Sequence, residues 1–228
     1  MRKIVFRVEE NARPALQGLN LGHVYFSGVK NSKSNPMVDG IVSKACASVL
    51  EKFKGREISD DMVVKGVRAF FSKLDIDPTR YRPSGEALIR RVVSGKGIYR
   101  VNAVVDINNA VSLATGCPCG VYDAEKIEGD TITVMVGGTG QTYTGIGGSP
   151  VNGEGKILTA DARGVFGGPT ADSQRTCILP SSKEVLMLIY HPDSAPYEVL
   201  TEGISKAIKH MQMATNGKAE YSSVYRID

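Results

Sequence analysis

Residues 105–123, VDINNAVSLATGCPCGVYD, are the most informative stretch of the chain, because they combine an amphipathic helix with a sharp stop. The apolar residues that share one side of this helix are Val105, Ala110, Val111 and Leu113. Asp106 lies in the first turn, where the helix dipole favours a carboxylate. Gly116 is predicted to cap the C-terminal end, and Pro118 prevents the helix from continuing.

Three polar residues, Asp106, Asn108 and Asn109, stand near the start of this otherwise apolar segment. In one interpretation they are helix caps and loop fasteners, which is a common use of short polar side chains. In the other they lie at the lip of a pocket. The stretch by itself leaves both interpretations open.

The same residues carry a resemblance to a known family. They are similar to the pattern VDITNYVMLELGQPLHAFD of the B3/B4 domain in bacterial phenylalanyl-tRNA synthetase β subunits, the editing domain that removes tyrosine from mischarged tRNA. The positions in register without a gap are Val105, Asp106, Ile107, Asn109, Gly116, Pro118 and Asp123. The similarity continues at 124–134 and at 159–176, while residues 75–92 are closer to free-standing relatives of the domain. The chain is therefore identified as a free-standing member of this family.

The order of predicted elements gives the fold class. Helices lead, strands dominate later and nothing repeats, which is typical of an α/β sandwich. The resemblance implies three layers, with two mixed or antiparallel sheets and one helical layer. We expect a single domain over 1–228, with a helix-rich part at 1–100, a motif-bearing core at 101–215 and a mobile polar tail at 216–228.

Hydrophobic periodicity locates the individual elements. Strands are predicted near 3–8, 21–29, 131–136, 156–160 and 185–190. Helices are predicted at 38–53, 62–74, 85–93 and 196–213, after a polar loop at 31–35. Ser84 is the predicted N-cap of the third of these helices, and Cys46 is predicted to be a small core residue of the first.

Composition narrows the function classes. A chain of 228 residues with a net charge of +4 permits RNA binding without arguing for it. Four cysteines without a scaffold-like spacing indicate reduced thiols. No apolar run approaches the length of a membrane span, and MRKIVFRVEE at the start is an amphipathic strand and not a signal peptide. We therefore expect a cytoplasmic protein with no membrane association.

Two motifs that suggest a cofactor or a metal are incomplete. The segment 137–148, GGTGQTYTGIGG, lacks the ending of a phosphate-binding loop, and a GxGxxG motif needs glycine where Tyr143 stands. Hairpin turns are the favoured interpretation. The pair Cys117 and Cys119 lacks partners at a paired metal-ligand spacing. We expect neither a cofactor nor a metal.

The densest basic stretch consists of Arg80, Arg82, Arg90, Arg91, Lys96 and Arg100. From the residues alone it is a solvated face with ordinary ion pairs, a contact surface for RNA phosphates, or a site for the carboxylate end of an acyl group. Glu86 and Arg90 are four residues apart, the favourable order for an ion pair. Because free-standing relatives have a similar Glu-x-Leu-x-Arg-Arg run, the resemblance implies that Arg82, Glu86 and Arg91 line or brace the pocket.

A glycine turn is the second candidate site. Gly164, Gly167 and Gly168 match the turn that floors the editing pocket in the synthetases, and such turns let backbone N–H groups approach a ligand. The polar residues around it are Asp161, Asp172, Ser173, Arg175 and Thr176. They are either turn fasteners or, together with Asn109, the donors and polar anchors of an amino-acid or acyl-ester site. The resemblance implies catalytic roles for Asn109, Asp172, Ser173 and Arg175. It implies substrate-binding roles for Arg82, Glu86, Arg91, Asn108, Gly120, Gly167, Gly168 and Thr176.

Two departures from the synthetase pattern affect specificity. Gly120 stands where the synthetases have histidine, and Pro180, Ser181 and Ser182 stand where they have the glutamate that reads the tyrosine hydroxyl. We therefore expect that a buried carboxylate for a phenol is missing and that tyrosine specificity is lost.

These patterns give one leading hypothesis and two alternatives. The leading one is a stand-alone editing domain that binds the aminoacylated 3′ end of a tRNA and hydrolyses a wrong amino acid from it. The first alternative is a non-catalytic module that binds a free amino acid, a small metabolite or RNA. The second is a hydrolase of free amino-acid esters.

Overall fold

The computed structural model describes residues 2–33 and 35–228. Met1, in the predicted first strand, and Ser34, in the predicted loop at 31–35, lie outside the described residues. The helices are α1 (Arg13–Leu16), α2 (Pro36–Lys52), α3 (Met62–Lys73), α4 (Ser84–Val93), α5 (Ala103–Thr115) and α6 (Tyr197–Thr215). The strands are β1 (Val5–Val8), β2 (Leu19–Ser27), β3 (Cys119–Asp123), β4 (Thr131–Val136), β5 (Thr142–Thr144), β6 (Pro150–Asn152), β7 (Ile157–Asp161), β8 (Gly164–Gly167), β9 (Val185–Pro192) and β10 (Lys218–Arg226).

These elements form three layers, as predicted. One four-stranded sheet is antiparallel with the order β10-β2-β9-β3, and the other has the order β1-β4-β7-β8, with β1 and β4 parallel. Gly22 on β2 faces α6, because a side chain there would meet Leu200. The next residue, His23, faces the other sheet, where its ring centroid lies 4.5 Å from that of Phe6. The antiparallel sheet therefore lies between the helical layer and the mixed sheet.

Helix α5, from the stretch 105–123, contacts α2, α4, α6 and β3. It begins two residues earlier than Val105, and Asn102 caps it by accepting a hydrogen bond from the Val105 amide at 3.0 Å. It ends at Gly116, as predicted, in the left-handed conformation with φ +77°. Ile107 and Val111 are fully buried against the sheet side. The helix therefore fixes where β3 starts.

Two local predictions are wrong in detail. Ser84 is the first residue of α4 and not its cap; Pro83 holds the cap position, where no side chain accepts a hydrogen bond. Cys46 is only half-buried, because it lies at the edge of the apolar stripe of α2. The four cysteines are free thiols, as predicted. In the described part of the chain, no helix is both long enough and apolar enough to cross a membrane.

The prediction of a mobile tail at 216–228 is also wrong. Residues of this segment form β10, which pairs antiparallel with β2 along its length. The ring of Tyr221 stacks on that of Tyr25 with centroids 5.4 Å apart, and its hydroxyl accepts a hydrogen bond from the Ile4 amide at 3.0 Å. The segment is polar in sequence because β10 is an edge strand in which every residue is exposed or only half-buried.

We expect Tyr221→Ala to lower the free energy of unfolding by about 1–3 kcal/mol, since it removes the stacked ring that fixes β10 to the sheet. Ser222→Ala, at an exposed position of the same strand, is the matched control and should change it by less than about 0.5 kcal/mol. Denaturant unfolding of both variants measures this. Equal stabilities of the two variants would contradict the structural role of β10.

Candidate functional site

Two stretches far apart in sequence meet between the two sheets. The Tyr122 hydroxyl, on β3, donates a hydrogen bond to a carboxylate oxygen of Asp172 at 2.7 Å. Asp172 follows β8 and the Gly167–Gly168 turn. The Tyr122 ring is fully buried, and the Phe166 ring lies edge-on to it with centroids 4.8 Å apart. We call Tyr122 and Asp172 the Tyr–Asp pair.

The predicted glycines surround this pair. A side chain at Gly120 would collide with the Tyr122 hydroxyl, and one at Gly167 would collide with both the hydroxyl and the Asp172 carboxylate. A side chain at Gly168 would meet the Ile157 carbonyl oxygen. Glycine is therefore required at all three positions by close approach and not by backbone strain. The structure brings together four of the predicted site residues: Gly120, Gly167, Gly168 and Asp172.

The pair has unusual acid–base properties. Burial raises the pKa of Asp172 from 3.8 to about 7, although the Tyr122 hydroxyl and the Gly168 amide both oppose this rise. Burial and the neighbouring Asp172 carboxylate raise the pKa of Tyr122 well above its usual range. Near neutral pH, Tyr122 is thus a fixed proton donor, while Asp172 exchanges a proton.

The expectation that a carboxylate for a substrate phenol is missing at 180–182 stays a prediction. Asp172, a half-buried residue, does accept a hydrogen bond from a phenol, but this phenol belongs to Tyr122 of the same chain. The sequence did contain a signal for this contact, because Tyr122 stands where the similar pattern has phenylalanine. Residues 120 and 122 point to the same face of β3, so the small residue at one position makes room for the hydroxyl at the other.

Two further buried side chains extend the pair, and sequence reasoning missed both. The Tyr190 hydroxyl, on β9, lies 3.4 Å from the Thr159 hydroxyl on β7. Thr159 in turn donates to the Gly167 carbonyl at 3.1 Å. A row of hydroxyl groups therefore runs from the antiparallel sheet to the glycine turn.

The glycine-rich segment forms the β5–β6 hairpin, as predicted, and this hairpin covers the pair. The Tyr143 hydroxyl donates to the Ala171 carbonyl at 2.9 Å, and the Ile146 amide donates to the Asp172 carbonyl at 3.2 Å. Gly145 forms an isolated bridge with Ser173. The hairpin is thus fixed to the backbone of residues 171–173, beside the Tyr–Asp pair.

Arg175, predicted as catalytic, is engaged in the support of the turn. Its guanidinium makes two hydrogen bonds of 2.9 Å to the Asp161 carboxylate, whose side chain is fully buried. It also donates to the carbonyls of Lys126 and Gly164 at 3.1 and 3.2 Å. These contacts indicate a bracing role.

Ser173 and Thr176 are also engaged within the turn. The Ser173 hydroxyl accepts a hydrogen bond from the Arg175 amide at 3.1 Å. The buried Thr176 hydroxyl donates to the Phe166 carbonyl at 3.4 Å. Both contacts are those of turn fasteners.

The two asparagines of α5 differ in position. Asn108 is buried and donates to the Cys119 carbonyl at 3.3 Å, next to Gly120, while its own carbonyl oxygen has no partner among the described residues. Asn109 is half-buried and lies one turn before Leu113, which packs with residues of α4. Asn108 therefore adjoins the Tyr–Asp pair, whereas Asn109 lies on the α4 side of the helix.

The remaining predicted residues form a second candidate site: Glu86 and Arg91 lie on α4, and Arg82 lies two residues before it. One buried carboxylate oxygen of Glu86 lies 2.7 Å from the Arg90 guanidinium, as predicted, 3.3 Å from that of Arg68 and 3.8 Å from that of Arg82. The Arg91 guanidinium lies 3.8 Å from the Tyr99 ring centroid.

A surface cavity of about 550 Å³ adjoins these residues, and we call it the α4 pocket. It is lined by Ile58, Arg82, Ala87, Arg90, Arg91, Val93, Ser94, Lys96 and Tyr99. Its link to the Tyr–Asp pair is a hydrogen bond of 3.0 Å from the Ser84 amide to the carbonyl of Pro169, the residue after Gly168. Across the described residues, no cluster of three or more histidine, cysteine or acidic side chains has a geometry fit to hold a metal ion.

Comparison with known proteins agrees with the resemblance seen in the sequence. The family model of the B3/4 domain matches residues 66–212. The chain is 34% identical over 93 residues to the phenylalanine–tRNA ligase β subunit of Wolbachia sp. subsp. Brugia malayi (strain TRS), and this match covers 41% of the chain. It is 36% identical over 84 residues, or 36% of the chain, to that of Gluconobacter oxydans (strain 621H). The matches span only 12% and 10% of those relatives' lengths.

A solved structure is similar in outline. It is an N-terminal fragment of the phenylalanyl-tRNA synthetase β subunit from Pyrococcus horikoshii, with a TM-score of 0.47 and 11% sequence identity. The alignment covers 98% of the present chain and 55% of that fragment.

We expect Arg175→Gln to lower the free energy of unfolding by about 3 kcal/mol, because it leaves the buried Asp161 carboxylate without its cation. Arg163→Gln is the matched control, since Arg163 pairs with Glu128 on the surface. The control should cost less than about 1 kcal/mol. Equal losses in denaturant unfolding would contradict the bracing role of Arg175.

The raised pKa of Asp172 predicts a pH dependence of stability. Between pH 4 and 7 the unfolded chain has released the proton that the folded chain keeps on Asp172, so this group makes stability fall as the pH rises. Asp172→Asn removes the effect. Relative to the native chain, the variant should gain stability by up to roughly 4 kcal/mol from pH 4 to pH 8.

Unfolding measured at several pH values tests this prediction. Tyr122→Phe is the informative second variant, because its hydroxyl lowers the pKa of Asp172. Without the hydroxyl, the decline should extend to higher pH. A constant difference between the native chain and Asp172→Asn would contradict the assignment.

Proposed function

Because this chain belongs to the B3/4 domain family, we propose that it is a stand-alone tRNA-editing domain that hydrolyses the ester between a wrong amino acid and the 3′ end of a tRNA. The observation that carries the proposal is the meeting of the two resembling stretches at one point. Tyr122 comes from the first and Asp172 from the second, and their side chains are 2.7 Å apart.

The chemistry requires a water molecule to attack the ester carbonyl. In the proposed mechanism the Asp172 carboxylate accepts a proton from that water, whose oxygen bonds to the acyl carbon. The bond between the acyl carbon and the 3′ oxygen then breaks, and the proton passes to that oxygen, which leaves as a hydroxyl. A carboxylate with a pKa near 7 suits this transfer at neutral pH. Tyr122 holds the carboxylate in place as a hydrogen-bond donor.

Substrate access requires the β5–β6 hairpin to move. A cavity of about 10 Å³ beside Tyr190 and Pro169 is too small for an aminoacyl group. The hairpin is held over the pair by a few hydrogen bonds, including those from Tyr143 and Ile146. Ile146, at its tip, is exposed. Local opening of such a two-stranded hairpin costs little compared with global unfolding.

The Tyr–Asp pair also bears on specificity. The buried Tyr122 ring occupies the space next to Gly120 and Gly167 that a phenol on a substrate would need. We therefore propose that the substrate carries an amino acid other than tyrosine, with a smaller side chain.

One observation favours the alternative of a non-catalytic binding module. The guanidinium of Arg175 and the hydroxyls of Ser173 and Thr176 are all engaged within the turn. A domain that only binds a free amino acid, a small metabolite or RNA would need this fold, but it would not need Asp172 to exchange a proton.

The test is incubation of the purified chain with a panel of aminoacyl-tRNAs, correct and mischarged, while the loss of the amino acid is followed. We expect multiple-turnover loss from one or a few mischarged members. Asp172→Asn should slow it by about a hundredfold or more, as for removal of a general base. Arg163→Gln, a surface substitution, should leave the rate unchanged.

Three results would contradict the proposal. A flat panel beside an active control enzyme would favour the binding module, which ligand-dependent thermal stabilisation would then identify. Full activity of Asp172→Asn would remove the proposed base. Equal hydrolysis of free amino-acid esters would indicate a small-molecule hydrolase.

A further inference from the structure

We infer that the α4 pocket binds the phosphate backbone of single-stranded RNA, with Tyr99 as a stacking surface for a base. This inference deepens the proposed function and rests on it for the choice of RNA as the nucleic acid.

The charges around the pocket are unbalanced. Four cationic side chains line it, those of Arg82, Arg90, Arg91 and Lys96, and the lining contains no carboxylate among the described residues. Glu86, on the same helix, is buried, and one of its oxygens is shared by three arginines. A single negative charge cannot neutralise three guanidinium groups, so the pocket keeps a positive potential.

The arginines around Glu86 are positioned and still accessible. The side chains of Arg82 and Arg90 are 39% and 37% exposed, although both reach the buried carboxylate. Such anchoring reduces the entropy that each side chain loses when it binds a phosphate. Arginine also presents donors in a planar fork that matches phosphate oxygens.

Tyr99 supplies an aromatic surface at the same place. Its side chain is 65% exposed, and the Arg91 guanidinium packs on its ring while donating to its hydroxyl at 3.0 Å. The Arg91 Nε atom is buried and has no partner among the described residues. Cationic side chains combined with an exposed aromatic ring are the usual means of binding single strands, because bases stack and phosphates pair with the cations.

The size and position of the pocket suit a nucleotide chain. A volume of about 550 Å³ lies within the usual range for small-ligand sites, roughly 300–1,000 Å³. α4 is held firmly against the core, because Gly85 packs directly on the carbonyls of Gly116 and Cys117. Its first residue bonds to Pro169, beside the Gly168 turn. An RNA chain bound at α4 is thus held by a helix that adjoins the proposed site of the acyl group.

The experiment measures binding without turnover. A fluorescently labelled, unacylated RNA 12-mer is titrated with the full chain at several salt concentrations, and anisotropy gives Kd. We expect Arg91→Gln and Lys96→Gln each to weaken binding and to lower the slope of log Kd against log salt, by about 0.7 for each phosphate that is no longer neutralised. Tyr99→Leu should weaken binding by about fivefold or more, with little change in the slope, whereas Tyr99→Phe should retain most of the affinity for RNA.

The matched control is Lys206→Gln, which removes one positive charge from α6, on a different part of the surface. Equal weakening in this control would overturn the inference, because binding would then follow net charge alone. So would tight binding of poly-glutamate, which would indicate an acidic polypeptide partner, or the absence of RNA binding. Thermal unfolding of each variant verifies that it is folded.

The two proposals fail separately. If RNA binding depends on the α4 pocket and no member of the aminoacyl-tRNA panel is deacylated, the proposal of editing activity is wrong and the proposal for the pocket stands. If deacylation is selective and the α4 substitutions leave it unchanged, the proposal for the pocket is wrong and the proposal of editing activity stands.

Discussion

The close approach of β3 to β8 is the constraint on which this molecule depends. The two strands belong to different sheets, yet Gly120 and Gly167 allow one partly buried hydrogen bond, from Tyr122 to Asp172, to join β3 to the turn after β8. Burying a carboxyl and a phenol is costly unless each satisfies the other. The pair therefore favours one spacing of the sheets at this point, and the burial that comes with this spacing raises the pKa of Asp172 to about 7.

The surrounding elements hold the two sheets at this spacing in different ways. α5 sets the start of β3 through its stop at Gly116, and Asn108 contacts the carbonyl beside Gly120. The bond between Arg175 and Asp161 braces the turn on the opposite side. Structural and chemical roles are thus divided within one short motif: Asp172 faces the interior, and Arg175, three residues later, holds the turn that positions it.

The sequence predicted the elements that have a strong hydrophobic periodicity. It did not predict the structure of residues that depends on a contact partner elsewhere in the chain. α2, α3, α5 and α6 follow from the spacing of apolar residues, and the three layers follow from the family pattern. β10 was missed, because an edge strand forms by pairing with one neighbouring strand and carries few apolar residues. The glycines of the site were found from the motif. The ion pair of Arg175 with Asp161 was not, because whether a guanidinium meets a buried carboxylate depends on a residue fourteen positions away.

The crowding at Gly120 and Tyr122 also limits how this chain could have arisen and how it could change. A side chain at 120 and a hydroxyl at 122 compete for the same volume, so the two positions are not free to vary independently. An ancestor with a larger residue at 120 would have had to lose it before gaining the hydroxyl. The path back to such a residue runs in the reverse order, through a phenylalanine at 122, and neither step alone restores the earlier site. The two positions can therefore change only in a set order, in either direction.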